Sequence, residues 1–104
     1  MGRLDDKVVI VTGAGQGIGE GIALAAAAEG AKIVAAGRTL EKVERTIATI
    51  EQRDGAGLAV QCDVRRQDEV NATVAATMEK FGRIDGLVNN AQMVALGPVL
   101  EITE

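Results

Sequence analysis

Short apolar runs alternate with longer amphipathic stretches along this chain, and the two have different periods. Lys7 to Thr12 is a near-continuous run of valine and isoleucine, which predicts a β-strand buried on both faces. A glycine-rich turn follows, and then an alanine-rich stretch, Gly17 to Glu29, that predicts a helix stopped by Gly30. Alanine side chains on that helix allow a close approach to the sheet. Lys32 to Ala36 predicts the second strand, with Gly37-Arg38 as the turn beyond it. Thr39 is placed as the N-cap of a second helix running to about Gln52, with Val43, Ile47 and Ile50 on one face. Asp54-Gly55-Ala56-Gly57 breaks the pattern before a third strand, Leu58 to Cys62. A third helix is expected from Gln67 to Phe81, with Val70, Val74, Met78 and Phe81 as its buried stripe and Gly82 as its stop. Gly86 to Asn89 predicts the fourth strand, and from Ala91 onward the sequence has no clear period.

Strand and helix in strict alternation imply an α/β fold, a parallel sheet with helices on both faces. Right-handed crossovers, with ligand binding at the carboxyl ends of the strands, give the strand order 3-2-1-4. The ligand then belongs at the switch between the first and fourth strands, where the turns Gly13 to Gly19 and Asn89 to Gln92 meet. A sheet that stops after its fourth strand leaves that strand's outer edge without a partner. Either the tail, Met93 to Glu104, folds back over it, or two copies associate through it as a homo-oligomer.

The first turn carries the strongest chemical signal. In Thr12-Gly13-Ala14-Gly15-Gln16-Gly17-Ile18-Gly19 a buried strand opens directly into a helix. Backbone N–H groups and a helix N-terminus brought together in this way hold a pyrophosphate without charged side chains. Glycine is needed because a Cβ would block the ligand and because some positions take positive φ. The spacing is Thr-Gly-x-x-x-Gly-x-Gly, neither the G-x-G-x-x-G fingerprint nor a lysine-bearing P-loop. At the end of the second strand, where NAD-binding domains place an acid for the ribose 2′-OH, stands Gly37, followed by Arg38. A guanidinium suits a 2′-phosphate, which favours NADP(H) over NAD(H); the plainer alternative is a solvated arginine at a strand end.

At 104 residues the chain is read as one nucleotide-binding domain, residues 1–104, on the small side for an α/β enzyme. Its net charge of −4 and the absence of a basic stripe argue against nucleic acid. No apolar run is long enough to span a membrane, and the acidic N-terminus is unlike a signal peptide. Cys62 is the one cysteine, so an internal disulfide is excluded and a reducing, cytoplasmic setting fits. It is read as a small buried residue. With no histidine, a zinc site is not expected. The chain also has no tyrosine, tryptophan or serine, so the usual proton-transfer groups and nucleophiles are missing.

Taken together, the motifs resemble those of the short-chain dehydrogenase/reductase family, over essentially the whole chain. The loop from Thr12 to Gly19 matches its cofactor loop. Cys62-Asp63-Val64 resembles the Asp-Val pair after the third strand, and Asn89-Asn90-Ala91-Gln92 resembles the Asn-Asn-Ala-Gly motif after the fourth. The resemblance implies a Rossmann-type sheet truncated after its fourth strand, with cofactor-binding residues Gly13, Ala14, Gly15, Gln16, Gly17, Ile18, Gly19, Arg38, Asp63, Val64, Asn90 and Ala91. Asp63 would contact the adenine amino group, and Asn90 and Ala91 would lie near the nicotinamide ribose. Asp63 as a turn cap, and Asn89 and Asn90 as partners of nearby backbone, are the structural alternatives. Gln92 replaces the family's glycine, where its side chain would crowd the cofactor, turn away or add a hydrogen bond.

The family's catalytic Asn, Ser, Tyr and Lys lie further along than residue 104, and Tyr-x-x-x-Lys is absent here. The resemblance therefore implies the N-terminal half of an NAD(P)-dependent alcohol–carbonyl oxidoreductase, inactive as this chain alone. The alternatives are a stand-alone nucleotide-binding module and a self-associating structural fragment.

Overall fold

The computed structural model describes residues 3–90 and the backbone of 102–103. Its elements are β1 (Val8–Thr12), α1 (Gly17–Ala28), β2 (Lys32–Gly37), α2 (Leu40–Gln52), β3 (Gly57–Gln61), α3 (Gln67–Phe81), β4 (Gly86–Val88) and β5 (Ile102–Thr103). The strands form one sheet in the order β3-β2-β1-β4-β5, with β1 to β4 mutually parallel. This is the doubly wound order 3-2-1-4 expected from the alternation, with element boundaries displaced by a residue or two.

The outer edge differs from the expectation of a sheet ending at its fourth strand. The β5 backbone pairs antiparallel with β4, Leu87 opposite Thr103 and Val88 opposite Ile102. Of the two routes expected for that edge, this is the returning tail. Residues 91–101, which connect β4 to β5, lie outside the described residues.

Strand residues alternate between two layers because successive side chains point to opposite faces. Val11, Ile33 and Ala35 enter the larger cluster with Ala23 of α1 and Val43, Ile47 and Ile50 of α2. Val8, Ile10 and Val34 face the other way, where Leu58, Val60, Phe81 and Ile84 close over them. The buried central strands β1 and β2 explain why their sequences read as unbroken apolar runs.

The expected stripe on α3 is corrected. Val74 is 41% exposed and Met78 46%, Val70 and Phe81 are half-buried, and Thr73 and Thr77 are the buried residues. Each threonine hydroxyl donates to a carbonyl one turn earlier, Thr73 to Glu69 at 2.9 Å and Thr77 to Thr73 at 2.8 Å. Their hydroxyls are thus satisfied within the helix, so the small threonines can face the sheet. Val74 instead borders a shallow groove of about 210 Å³ with Leu87. Thr39 is the α2 N-cap as expected, but without a side-chain capping bond; its carbonyl accepts from the Lys42 N–H at 3.0 Å.

Asp85 joins the start of β1 to the start of β4. Its Oδ2 accepts from the Val8 N–H at 2.8 Å, its own N–H donates to Val8 O at 2.8 Å, and Arg83 donates to both carboxylate oxygens. The Arg83 hydrogen bond, then that from Val8, holds the Asp85 carboxyl below its ordinary 3.8. A depressed folded-state pKa stabilises the protein fully above the unfolded value and ceases to do so as pH falls through the lowered one. Asp85→Asn should therefore be less stable than the parent at pH 7, with the difference closing as pH drops below 3.8. Urea denaturation at stepped pH measures this; a difference that stays constant into acid would contradict it.

Candidate functional site

The carboxyl ends of β1, β2 and β3 and the turns leaving them enclose a cleft of about 760 Å³. The glycine loop between β1 and α1 forms one side. Gly13 and Gly17 have φ of 64° and 60°, the left-handed region that only glycine enters without strain. Ala14, buried beneath the loop, donates its N–H to Ala36 O at 3.2 Å and accepts at its carbonyl from the buried Thr46 hydroxyl at 3.0 Å. The loop is thereby tied to β2 and to α2.

Two close approaches set its shape. A Cβ on Gly19 would stand 2.0 Å from Gly13 O and 2.7 Å from Asn90 Nδ2, so α1 meets the end of β1 backbone to backbone. A Cβ on Gly15 would stand 2.7 Å from the Cβ of Lys42, so the first turn of α2 lies directly against the loop. The end of β4 reaches the same place. Asn90 Nδ2 donates to Gly13 O at 3.4 Å, and the Thr12 hydroxyl lies 3.3 Å from Val88 O and 3.2 Å from Asn89 Oδ1. Asn90 thus supports nearby backbone, the structural alternative given for it, while the side chain of Asn89 meets the Thr12 hydroxyl.

Gln16 is the N-cap of α1, in extended backbone, and its side chain makes no capping bond. Its amide oxygen instead accepts from Lys42 Nζ. The first-turn N–H groups of α1 therefore face the loop with no cap from Gln16, at the positive end of the helix dipole.

The opposite wall comes from the ends of β2 and β3. Arg38 is exposed and lines the cleft, together with Thr39, Lys42 and Val43. A Cβ on Gly37 would come within 2.9 Å of Cγ1 of the buried Val43, so the residue before Arg38 has little room for any side chain, an acid included. Asp63 Oδ1 accepts from the Arg65 backbone N–H and from Nε, both at 3.0 Å, and Oδ2 accepts from Nη2 at 2.9 Å. The Arg65 side chain, then its backbone N–H, holds the Asp63 carboxyl at about 2, and Arg38 adds to the shift. Asp63 thus caps its own turn and stays ionised through neutral pH. Among the described residues the cleft is lined by three cationic side chains and one carboxylate, in a chain whose net charge is −4.

Of the residues singled out from sequence, Gly13, Gly15, Gln16, Gly17, Arg38, Asp63, Val64 and Asn90 line one cleft. Ala14 and Gly19 lie buried behind it, and Ile18, 67% exposed, is not part of its lining. Ala91 and Gln92 lie outside the described residues. Lys42 and Arg65 also line the cleft, as do Thr39 and Val43, which the sequence placed only as an N-cap and a core position. The available signal was positional: the first turn of a helix that follows a parallel strand sits at the carboxyl edge. Cys62 is buried at the end of β3 beside the cleft. Among the described residues no group of acidic, cysteine or histidine side chains is placed to hold a metal, and no helix is long and apolar enough to cross a membrane.

Comparison with known proteins supplies the context for this geometry. The family model described as short chain dehydrogenase matches residues 7–104. A 3beta-hydroxysteroid dehydrogenase of Mediterraneibacter gnavus is 43% identical over 104 residues, covering 100% of this chain and 38% of that protein. A hydroxysteroid dehydrogenase structure from Escherichia coli superposes with a TM-score of 0.82 at 37% identity, over 84% of this chain and 36% of that one. The 3-ketoacyl-(acyl-carrier-protein) reductase of Brucella melitensis, solved with NADH, gives 0.76 at 43% identity, over 82% of this chain and 34% of that one. The chain thus spans less than two-fifths of the length of these relatives. On the family match, the sheet order and the glycine loop together, the chain belongs to the short-chain dehydrogenase/reductase family of oxidoreductases.

Proposed function

We propose that the cleft binds NADP(H), and that residues 1–104 form the cofactor-binding part of an oxidoreductase interconverting an alcohol and its carbonyl compound. The observation that carries this reading is the excess of cationic side chains around a bare glycine loop in an otherwise acidic chain. Such a field selects an anionic ligand and concentrates it at the cleft.

The residues present fit the cofactor. Apart from its chain neighbours and its own helix, no atom of the described residues lies within 4 Å of where a Cβ on Gly17 would stand, so backbone is open to a ligand there. The N–H groups of the Gly13 to Gly19 loop, that of Ala14 excepted because it bonds Ala36 O, and the N-terminus of α1 would hold the pyrophosphate. Arg38, with no carboxylate at position 37 to oppose it, would meet the 2′-phosphate. Asp63 and Val64 would border the adenine. The Asp63 oxygens serve Arg65, yet a carboxylate has about four acceptor sites, so capacity remains for an adenine amino group. Asn90 and Ala91 would stand near the nicotinamide ribose. Bound NADP(H) supplies the hydride-transfer chemistry. The net charge and the lone buried Cys62 support a cytoplasmic protein binding neither nucleic acid nor membrane.

NADPH should bind this chain more tightly than NADH, and titration calorimetry with both measures the preference. Arg38→Asp should reverse it, because the new carboxylate repels the phosphate and can accept from a 2′-OH. An unchanged preference would remove Arg38 from the site.

The purified 104-residue chain should show no turnover against a panel of alcohols and ketones. General acid–base help contributes roughly 10²–10⁴ in rate, and no tyrosine, histidine or serine is present to supply it. Cofactor oxidation or reduction by preparations free of host reductases would refute this.

A further inference from the structure

Three cations line the cleft, and they differ in what already holds them. Arg65 is engaged by both oxygens of Asp63, at 2.9 and 3.0 Å, so its charge is locally balanced. Arg38 sits exposed at the end of β2. Lys42 is half-buried in the first turn of α2, and its Nζ donates to the amide oxygen of Gln16, a neutral group in the glycine loop. Among the described residues, neither Arg38 nor Lys42 enters an ion pair.

The place of Lys42 is set by the fold. Gly15 leaves room for the Lys42 Cβ against the loop, since a Cβ there would stand 2.7 Å from it. One turn further along α2, Thr46 bonds Ala14 O at 3.0 Å. The start of α2 is thus held to the loop at the Lys42 stem and again one turn further along. Arg38 precedes and Lys42 follows Thr39, the N-cap of α2, so both cations stand at one corner of the cleft.

We propose that Lys42 is a second specificity-determining residue, binding the adenosine 2′-phosphate together with Arg38 while Gln16 orients its ammonium. This rests on the NADP(H) reading of the same cleft. A phosphate monoester carries about −1.5 to −2 charges at pH 7, more than one guanidinium balances. Gln16 contributes no charge from the loop, and Lys42 supplies it from the helix. Among the described residues the one carboxylate lining the cleft, Asp63, is already paired with Arg65.

Adenosine 2′,5′-bisphosphate and AMP differ only in the 2′-phosphate and isolate this contact. Calorimetry on the full chain, Arg38→Ala, Lys42→Met and Lys42→Arg gives the comparison. Lys42→Met should lose about tenfold in bisphosphate affinity, leave AMP affinity unchanged and flatten the salt dependence of bisphosphate binding. Lys42→Arg should keep most of the preference. If Lys42→Met does not fold by circular dichroism, Lys42→Gln, which keeps much of the stem, carries the same comparison. Equal losses for both nucleotides would reduce Lys42 to a structural role and overturn the proposal. So would a bisphosphate preference that Arg38→Ala abolishes and Lys42→Met leaves intact, with the NADP(H) reading standing. A parent chain that binds both nucleotides alike would overturn the NADP(H) reading and Lys42 with it.

Discussion

Everything at the carboxyl edge of this sheet depends on one backbone contact, between Gly19 at the start of α1 and the carbonyl oxygen of Gly13 at the end of β1. A Cβ on Gly19 would lie 2.0 Å from that oxygen. Interiors are too closely packed to yield that much without moving the helix. Because the contact is bare, α1 begins immediately over the strand end and its first turn stands at the loop. The same oxygen accepts from Asn90, so the end of β4 is drawn to the same point. Sheet, loop and helix are thereby one unit, and the cleft is its outer surface.

The second helix completes that surface by a different means. Gly15 lets α2 touch the loop, Thr46 fastens it through Ala14 O, and Gly37 leaves room for Val43 beneath the end of β2. These packing contacts have an electrostatic outcome. They bring Lys42 to the same cleft as Arg38, and they crowd position 37, where an acidic residue would discriminate against a 2′-phosphate. The chain is acidic overall, yet this corner is cationic. The asymmetry follows from where the backbone can approach itself, and charge placement follows from packing.

Much of this was legible from residue order. β1 and β2 read as strands because burial on both faces confines polar residues to their ends, Thr12 and Lys32, and the glycines marked the turns between elements. Right-handed crossovers then left few strand orders to consider. The α3 face was not legible. Hydrophobicity favoured Val74 and Met78, whereas the sheet receives Thr73 and Thr77, whose hydroxyls the helix satisfies itself. The two-residue β5 carries no period and could not be read except as a tail returning to an unpaired edge. At the site, the loop and Arg38 were legible because their chemistry is written in adjacent residues. Lys42 was not, because its contact with Gln16 spans two elements that only the fold brings together.

The central claim is that the glycine loop, the β2–α2 corner and the β3 end form one dinucleotide site. Amide chemical shifts of the labelled chain during titration with NADPH test it residue by residue. The account predicts saturable shifts at Gly13 to Gly19, at Arg38 to Lys42 and at Asp63 to Arg65, with the exposed side of α3 around Val74 and Met78 unmoved. Unchanged amides across the loop at saturating NADPH, or shifts centred on α3, would contradict it.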